Sequence, residues 1–252
     1  MKQFRLGADA LVMVSASSAG TQPKYYENGY WYKTDRNGYE GKAEYLCSMV
    51  LSCSNVKEYV TYEPCMINGR QGCRAKSFLK PSETFISFQR LYDMYEGGSL
   101  SERIMPMNRV EDRIGFVLSF IAEYAQADCA SYLSDILSLD MLTLNTDRHF
   151  HNLGIITDAE SGKSRPAPVF DNADALLASY AKFDPEEPFE KLIEEVYAQP
   201  FSANHEIQAQ AAGITLRIDY DRLNSLFEQE PDSRALQVLR CQLARYHDCL
   251  QM

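Results

Sequence analysis

Between residues 10 and 90 the apolar positions fall in short runs, several alternating with polar ones and most bounded by Gly, Asn or Pro. Residues 10–14, 30–33, 56–62, 65–67, 72–79 and 84–88 are expected to be strands, with turns at Glu27-Asn28-Gly29 and Asn68-Gly69. One stretch breaks this pattern: over 40–52, Ala43, Leu46, Cys47, Val50 and Leu51 recur at helical spacing. The period changes after Glu96-Gly97-Gly98-Ser99, a linker by composition. Beyond it a helix is expected at 109–126, where Val110, Ile114, Val117, Leu118, Ile121 and Ala125 share a face. Further helices are expected at 131–142 behind a cap at Asp128, and at 186–197, 206–212, 219–229 and 233–250. This predicts an α+β chain with a small, mostly β lobe over 1–96 and a larger helical lobe over 97–252.

In the helical half a polar knot separates two apolar runs: Leu144-Asn145-Thr146-Asp147-Arg148-His149-Phe150-His151-Asn152. Apolar run, polar knot and apolar run read as helix, functional loop and strand. The next residues, 153–157, 158–163 and 167–170, read as a hairpin that delivers Asp171 at the end of Pro168-Val169-Phe170-Asp171. Asp147 and Asn152 stand five apart, the layout of a kinase catalytic loop, in which the Asp takes a hydroxyl proton and the Asn holds magnesium. Asp171 then supplies the second metal ligand. His149 is expected to hydrogen-bond backbone and brace the aspartate, His151 to face solvent, Asn145 to cap the loop and Asp140 to accept loop N–H groups. Asp174 is a decoy close to Asp171.

Upstream, the segment 15–24 is small, polar and able to bring backbone N–H groups close to phosphates, with Lys24 adding charge. Lys33 ends a strand and Glu44 follows on the helix, the order of the lysine and glutamate that pair in kinases. The lobes would join at 87–91, where an adenine ring would lie between apolar side chains; Phe88 and Leu91 are the candidates.

Composition narrows the partners. A net charge of -10 leaves no excess of Lys and Arg for general nucleic-acid binding, so no direct nucleic-acid partner is expected. Seven scattered cysteines, an odd number without zinc-knuckle spacing, read as buried thiols in a reducing compartment. No apolar run is long enough to span a membrane, and Asp9 interrupts any signal-peptide core. A cytoplasmic location is expected.

These motifs resemble HipA-like serine/threonine kinases, the toxin kinases of bacterial toxin–antitoxin systems. The resemblance rests on the 145–152 knot with Pro168-Val169-Phe170-Asp171, on Ser17-Ser18-Ala19-Gly20-Thr21-Gln22-Pro23-Lys24, and on Tyr32-Lys33 with Glu44. It implies a two-lobed, protein-kinase-like fold and transfer of phosphate from ATP, with Mg²⁺, to a Ser or Thr of a protein substrate. It further implies that Asp147 is catalytic and that Asn152 and Asp171 hold the metal. Lys33 and the loop residues Ser18, Ala19 and Gly20 would contact ATP. Ser17, with Ser18 as a neighbour, would be autophosphorylated, ejecting the loop. The family's N-terminal subdomain is expected to be missing here, leaving a compact kinase core with an antitoxin or a separate subdomain chain as partner. Two alternatives stay open: a phosphoinositide or lipid kinase, whose catalytic loop shares Asp-Arg-His-x-x-Asn, and a pseudokinase serving as a binding module.

Overall fold

The computed structural model describes residues 1–12 and 23–252. Its first half is a sheet wrapped on one helix. Strands β1 (Lys2–Phe4), β2 (Leu11–Val12), β3 (Lys24–Glu27), β4 (Tyr30–Thr34), β5 (Tyr62–Ile67) and β6 (Arg70–Lys76) lie in the order β1-β5-β6-β4-β3-β2 among the described residues. The hairpins β3–β4 and β5–β6 turn through Asn28-Gly29 and Asn68-Gly69, all four residues with positive φ, the geometry of tight two-residue turns. Helix α1 (Glu40–Ser52) occupies the span its periodicity predicts. It lies so close to the sheet that a Cβ on Gly41 would meet the Gly72 backbone at 2.6 Å. A Cβ on Gly72 would in turn strike the carbonyl of Lys33, so only glycine permits this backbone approach.

Strand β7 (Glu83–Ser87) joins a second sheet with β8 (Gly154–Asp158) and β9 (Ser164–Pro166), in the order β7-β8-β9. Ala159 N donates to Ser82 O and Phe88 N donates to Leu153 O, so the even-numbered residues of this strand face β8. The N–H and C=O of Phe85 consequently point away from β8, along the edge of β7 that no other described strand pairs.

The helical half comprises α2 (Phe88–Tyr95), α3 (Leu100–Ile104), α4 (Val110–Ala125), α5 (Ala130–Thr143), α6 (Phe189–Ile193), α7 (His205–Ala212), α8 (Tyr220–Phe227), α9 (Arg234–Arg245) and α10 (His247–Leu250). One large apolar core runs through it. That core includes Ala43, Leu46 and Val50 of α1, which therefore packs on the helical body as well as on its own sheet.

The α+β, two-lobed expectation is the fold observed, with local corrections. Residues 56–61 are not a strand. Val60 N donates to Val169 O and Val169 N to Glu58 O, so the segment bridges to the other half instead of entering the sheet. The second arm of the hairpin is Ser164–Pro166, not 167–170: after Ala167 N donates to Gly154 O, Val169 turns its N–H to Glu58 O and its C=O to Val60 N instead of to β8. The helix expected at 186–197 is only Phe189–Ile193, with Pro188 at its N-cap. The one expected at 233–250 breaks at Tyr246, after which Leu250 O turns back to accept from Ile218 N at 2.7 Å. Helix α2 was not expected. Its signals were present, a Ser87 cap accepting from Arg90 N and an apolar stripe of Phe88, Leu91 and Tyr92.

Candidate active site

The polar knot follows α5, which ends on Leu144 in the left-handed conformation. Arg148 holds the knot together. It is fully buried and forms a two-pronged ion pair with Asp140, Nε to Oδ2 and Nη2 to Oδ1, both at 2.9 Å. The same guanidinium donates to Phe170 O at 2.7 Å, to Asp171 O at 3.3 Å and to Asn172 Oδ1 at 2.6 Å. Burial alone would weaken its charge, but Asp140 outweighs that and keeps it firmly protonated. One side chain thus ties the 145–152 loop to the loop carrying Asp171. Asp140 accepts loop N–H groups, as expected: its carboxylate takes Arg148 and the Asn145 side-chain amide (3.1 Å), and its carbonyl takes Asn145 N at 3.2 Å.

Asn145 does cap the loop: its Oδ1 accepts from Asp147 N at 3.1 Å. The loop's histidine brace comes from elsewhere. Buried His205, on α7, bonds Asn145 O through Nε2 at 2.8 Å, and burial lowers its pKa, so it sits there as the neutral Nε2–H donor. Among the described residues, His149, predicted as the brace, makes no side-chain hydrogen bond. Its Nε2 lies 3.8 Å from Asp147 Oδ2, and its Nδ1 is buried without a partner. His151 is exposed, as expected.

Asp147 presents a half-open carboxylate beside this loop. Burial raises its pKa and Asp174 adds to the rise, while His149 and Lys182 pull it down. Asn152 is buried behind it. Its Nδ2 donates to Asp147 O at 2.9 Å, which leaves Oδ1 buried with no hydrogen-bond partner among the described residues.

Across the cleft, Lys33 on β4 bridges two carboxylates, Glu44 Oε1 at 2.5 Å and Asp171 Oδ1 at 2.6 Å. Burial alone would lower the Lys33 pKa, but the two anions hold it well above the ordinary value. One lysine cannot satisfy both carboxylates equally. Burial pushes Glu44 up, whereas Asp171, despite its own burial, is held below the usual range by Lys33 and Lys24. Lys24 is paired in register with Lys33 on β3, and burial lowers its pKa. Asp171 itself has φ of 60°, a strained position for a residue other than glycine. Its N–H is held by Tyr62 Oη at 3.3 Å, and the next N–H, of Asn172, by Glu44 Oε2 at 2.8 Å.

Lys33, Lys24 and Asp171 line one end of a cleft of about 1110 Å³. Its apolar part is made by Val60, Ala75, Phe78, Leu79, Phe85 and Phe170. Phe88 and Leu91, predicted to sandwich a nucleobase, are turned into the core and do not line this cleft, because the chain enters helix α2 at that point. Their neighbours Ser87, Gln89 and Arg90 face it instead. Ser17, Ser18, Ala19 and Gly20 lie outside the described residues. Arg148, Tyr62 and His205 were missed as site residues, since spacing along the chain does not reveal which polar side chain is buried against which loop.

Among solved structures, the Helicobacter pylori proinflammatory kinase CtkA is similar over 91% of this chain and 90% of its own, at TM-score 0.63 and 16% identity. The fold is that of a kinase. The two-lobed architecture implied by the motif resemblance is therefore the one this chain adopts. A further match is HipA in the Shewanella oneidensis MR-1 toxin–antitoxin complex with HipB and operator DNA. It has TM-score 0.49 and 15% identity, over 94% of this chain and 59% of that one. No protein-family model and no curated protein matches the sequence. Among the described residues, no helix is long and apolar enough to cross a membrane.

Proposed function

We propose that this chain is an ATP-dependent serine/threonine protein kinase of the HipA-like kind. The observation that carries the reading is the Lys33 ion pair with Glu44 and Asp171, facing a loop that offers Asp147 and Asn152. Protein kinases need such a lysine–glutamate pair and a metal-binding aspartate in place together.

The nucleobase would occupy the apolar part of the cleft, against Phe78, Phe85 and Phe170, with the outward N–H and C=O of Phe85 available to it. Lys33 and Lys24 at the other end suit its phosphates. The donor set also suits Mg²⁺: Asn152 contributes a buried oxygen with no partner among the described residues, and Asp171 a carboxylate kept anionic by its lysines. Bound there, the metal would neutralise charge on the phosphate oxygens. Asp147 accepts the hydroxyl proton of the incoming Ser or Thr. The oxygen–phosphorus bond forms as the bond from the γ-phosphorus to its bridging oxygen breaks, and ADP leaves with that electron pair. The half-open carboxylate, with its raised pKa, suits a group that must take up a proton.

A toxin role and autophosphorylation in the 15–18 segment belong to the same proposal, on the motif resemblance. The test is phosphoryl transfer from [γ-³²P]ATP to casein or to the chain itself. Asp147→Asn should lose transfer by a factor of about 1,000 or more while still binding Mg·ATP. Asp171→Asn should lose Mg·ATP binding as well. Transfer at the wild-type rate by Asp147→Asn would overturn the assignment.

A further inference from the structure

The catalytic loop contains one arginine, and it is committed. Arg148 is fully buried and spends its guanidinium on Asp140, Asn172 and two backbone carbonyls. The buried lysines of the cleft, Lys24 and Lys33, sit together on the sheet, with Lys33 bound to Glu44 and Asp171. Among the described residues, the buried cations near Asp147 thus lie on the sheet or beneath the loop. A phosphoryl group moving towards Asp147 leaves that charge behind.

A different segment brings a cation to the other side. Lys182 lies thirty-five residues beyond Asp147, in the turn that follows the Asp171 loop. Its Nζ donates to Thr146 Oγ1 at 3.1 Å and lies 3.5 Å from Asp174 Oδ2. Thr146 immediately precedes Asp147. The Lys182 side chain is 40% exposed, so these two contacts hold the ammonium beside the loop without burying it. Such a side chain can rotate a short distance to a passing anion. Its charge is also felt at Asp147, where it opposes the effect of burial.

Resting on the kinase reading above, we propose that Lys182 is a catalytic residue: it contacts the transferred phosphoryl group on the acceptor side as the group passes from the bridging oxygen of ATP to the Ser or Thr oxygen. It takes no proton in the step. The hydroxyl proton still goes to Asp147 and the electron pair to ADP. What Lys182 adds is charge where the equatorial oxygens arrive, an electrostatic contribution made mainly in the transition state.

The experiment compares Lys182→Met, Lys182→Arg and Thr146→Val with wild type, in steady-state transfer from [γ-³²P]ATP to casein and to the chain itself. Lys182→Met should lower kcat by about 100-fold, with KM for ATP within about twofold of wild type. Lys182→Arg should recover most of the loss, because the charge returns. Thr146→Val separates charge from bracing: it removes the bond from Lys182 and the Thr146 hydroxyl's own bond to Asp174 O (3.3 Å), keeps the lysine, and should fall only a few-fold. Thermal melts confirm that each variant is folded. A Lys182→Met kcat near that of wild type overturns this inference and leaves the kinase reading intact. So does a Thr146→Val loss as large as that of Lys182→Met, which would make Lys182 a brace. Wild-type protein with no transfer at all overturns the kinase reading and this inference with it.

Discussion

Arg148 has no exposed surface, yet three separate stretches of chain meet on its guanidinium: the end of α5, the loop that carries Asp147, and the loop that carries Asp171. Taking such a charge out of water is costly, and the cost is offset only while Asp140 stays opposite it. Asp140→Ala should therefore destabilise the protein by about 3–5 kcal/mol, measured by urea unfolding, because an unpaired buried guanidinium is left behind. The double variant Asp140→Met with Arg148→Met should recover a large part of that stability while losing transfer activity. A loss below about 1 kcal/mol in the single variant would mean that the guanidinium finds other partners. At this scale the sequence told a divided story. The structure brings Lys33, Glu44 and Asp171 together and sets Asn152 against Asp147, a grouping that their order and spacing along the chain foreshadow. Arg148, Tyr62 and His205 were not legible: spacing does not show that Arg148 is buried against Asp140 and Asn172, and Tyr62 and His205 act through Asp171 and Asn145, remote in sequence. Phe88 and Leu91 misled because a strand and a helix both accept an apolar residue at those positions, and here helix α2 begins at Phe88 and turns both into the core.

Helix α1 shows what the elements do. Its residues 40–52 have the expected period, and its register puts Glu44 against Lys33. Two acids tie down its start: Asp35 Oδ1 accepts from Gly41 N at 2.6 Å, and Glu40 accepts from the N–H groups of Arg36 and Asn37, both at 3.3 Å. Burial raises the Asp35 pKa to about 6, against the bond from Gly41, with Glu40 adding to the rise. The sign follows from linkage. The folded state binds the Asp35 proton more tightly than the unfolded state, so this group costs stability as pH climbs through that interval and the cost stays in place above it. Asp35→Asn keeps the acceptor and removes the charge. Its stability relative to wild type should rise from about pH 4 to about pH 6 and then level off, at roughly 1–2 kcal/mol after allowance for partial exposure. Melting temperatures across that range check it, and a difference that stays flat with pH would refute the linkage. Element identity was readable where the hydrophobic period was long, as in α1, α4 and α5. It failed at 56–62 and 167–170, where backbone bonds cross between the halves instead of extending a ladder.

The whole molecule closes around its cleft through polar contacts from both sides: Lys33 to Asp171, Asn172 N–H to Glu44, and the bridge of Tyr59 with Val169. A ligand bound there touches both halves and should stabilise the chain as one unit. At Mg·ATP one hundred times its dissociation constant the gain is about 2.7 kcal/mol, or roughly 5–10 °C in Tm for a chain of this size. Asn152→Ala should keep the shift seen with ATP and EDTA but lose the extra shift that Mg²⁺ brings, measured by differential scanning fluorimetry. An extra shift that survives in Asn152→Ala would remove Asn152 from the metal site. The edge of β7 away from β8 has a consequence for chemical control of this protein. Phe85 offers one donor and one acceptor side by side on the edge that faces away from β8, next to a wall of Phe78 and Phe170. A flat heteroaromatic inhibitor carrying an adjacent acceptor–donor pair would match that edge with main-chain atoms alone. Since no side-chain replacement except proline can delete those atoms, point mutations would escape such a compound mainly by reshaping the aromatic wall.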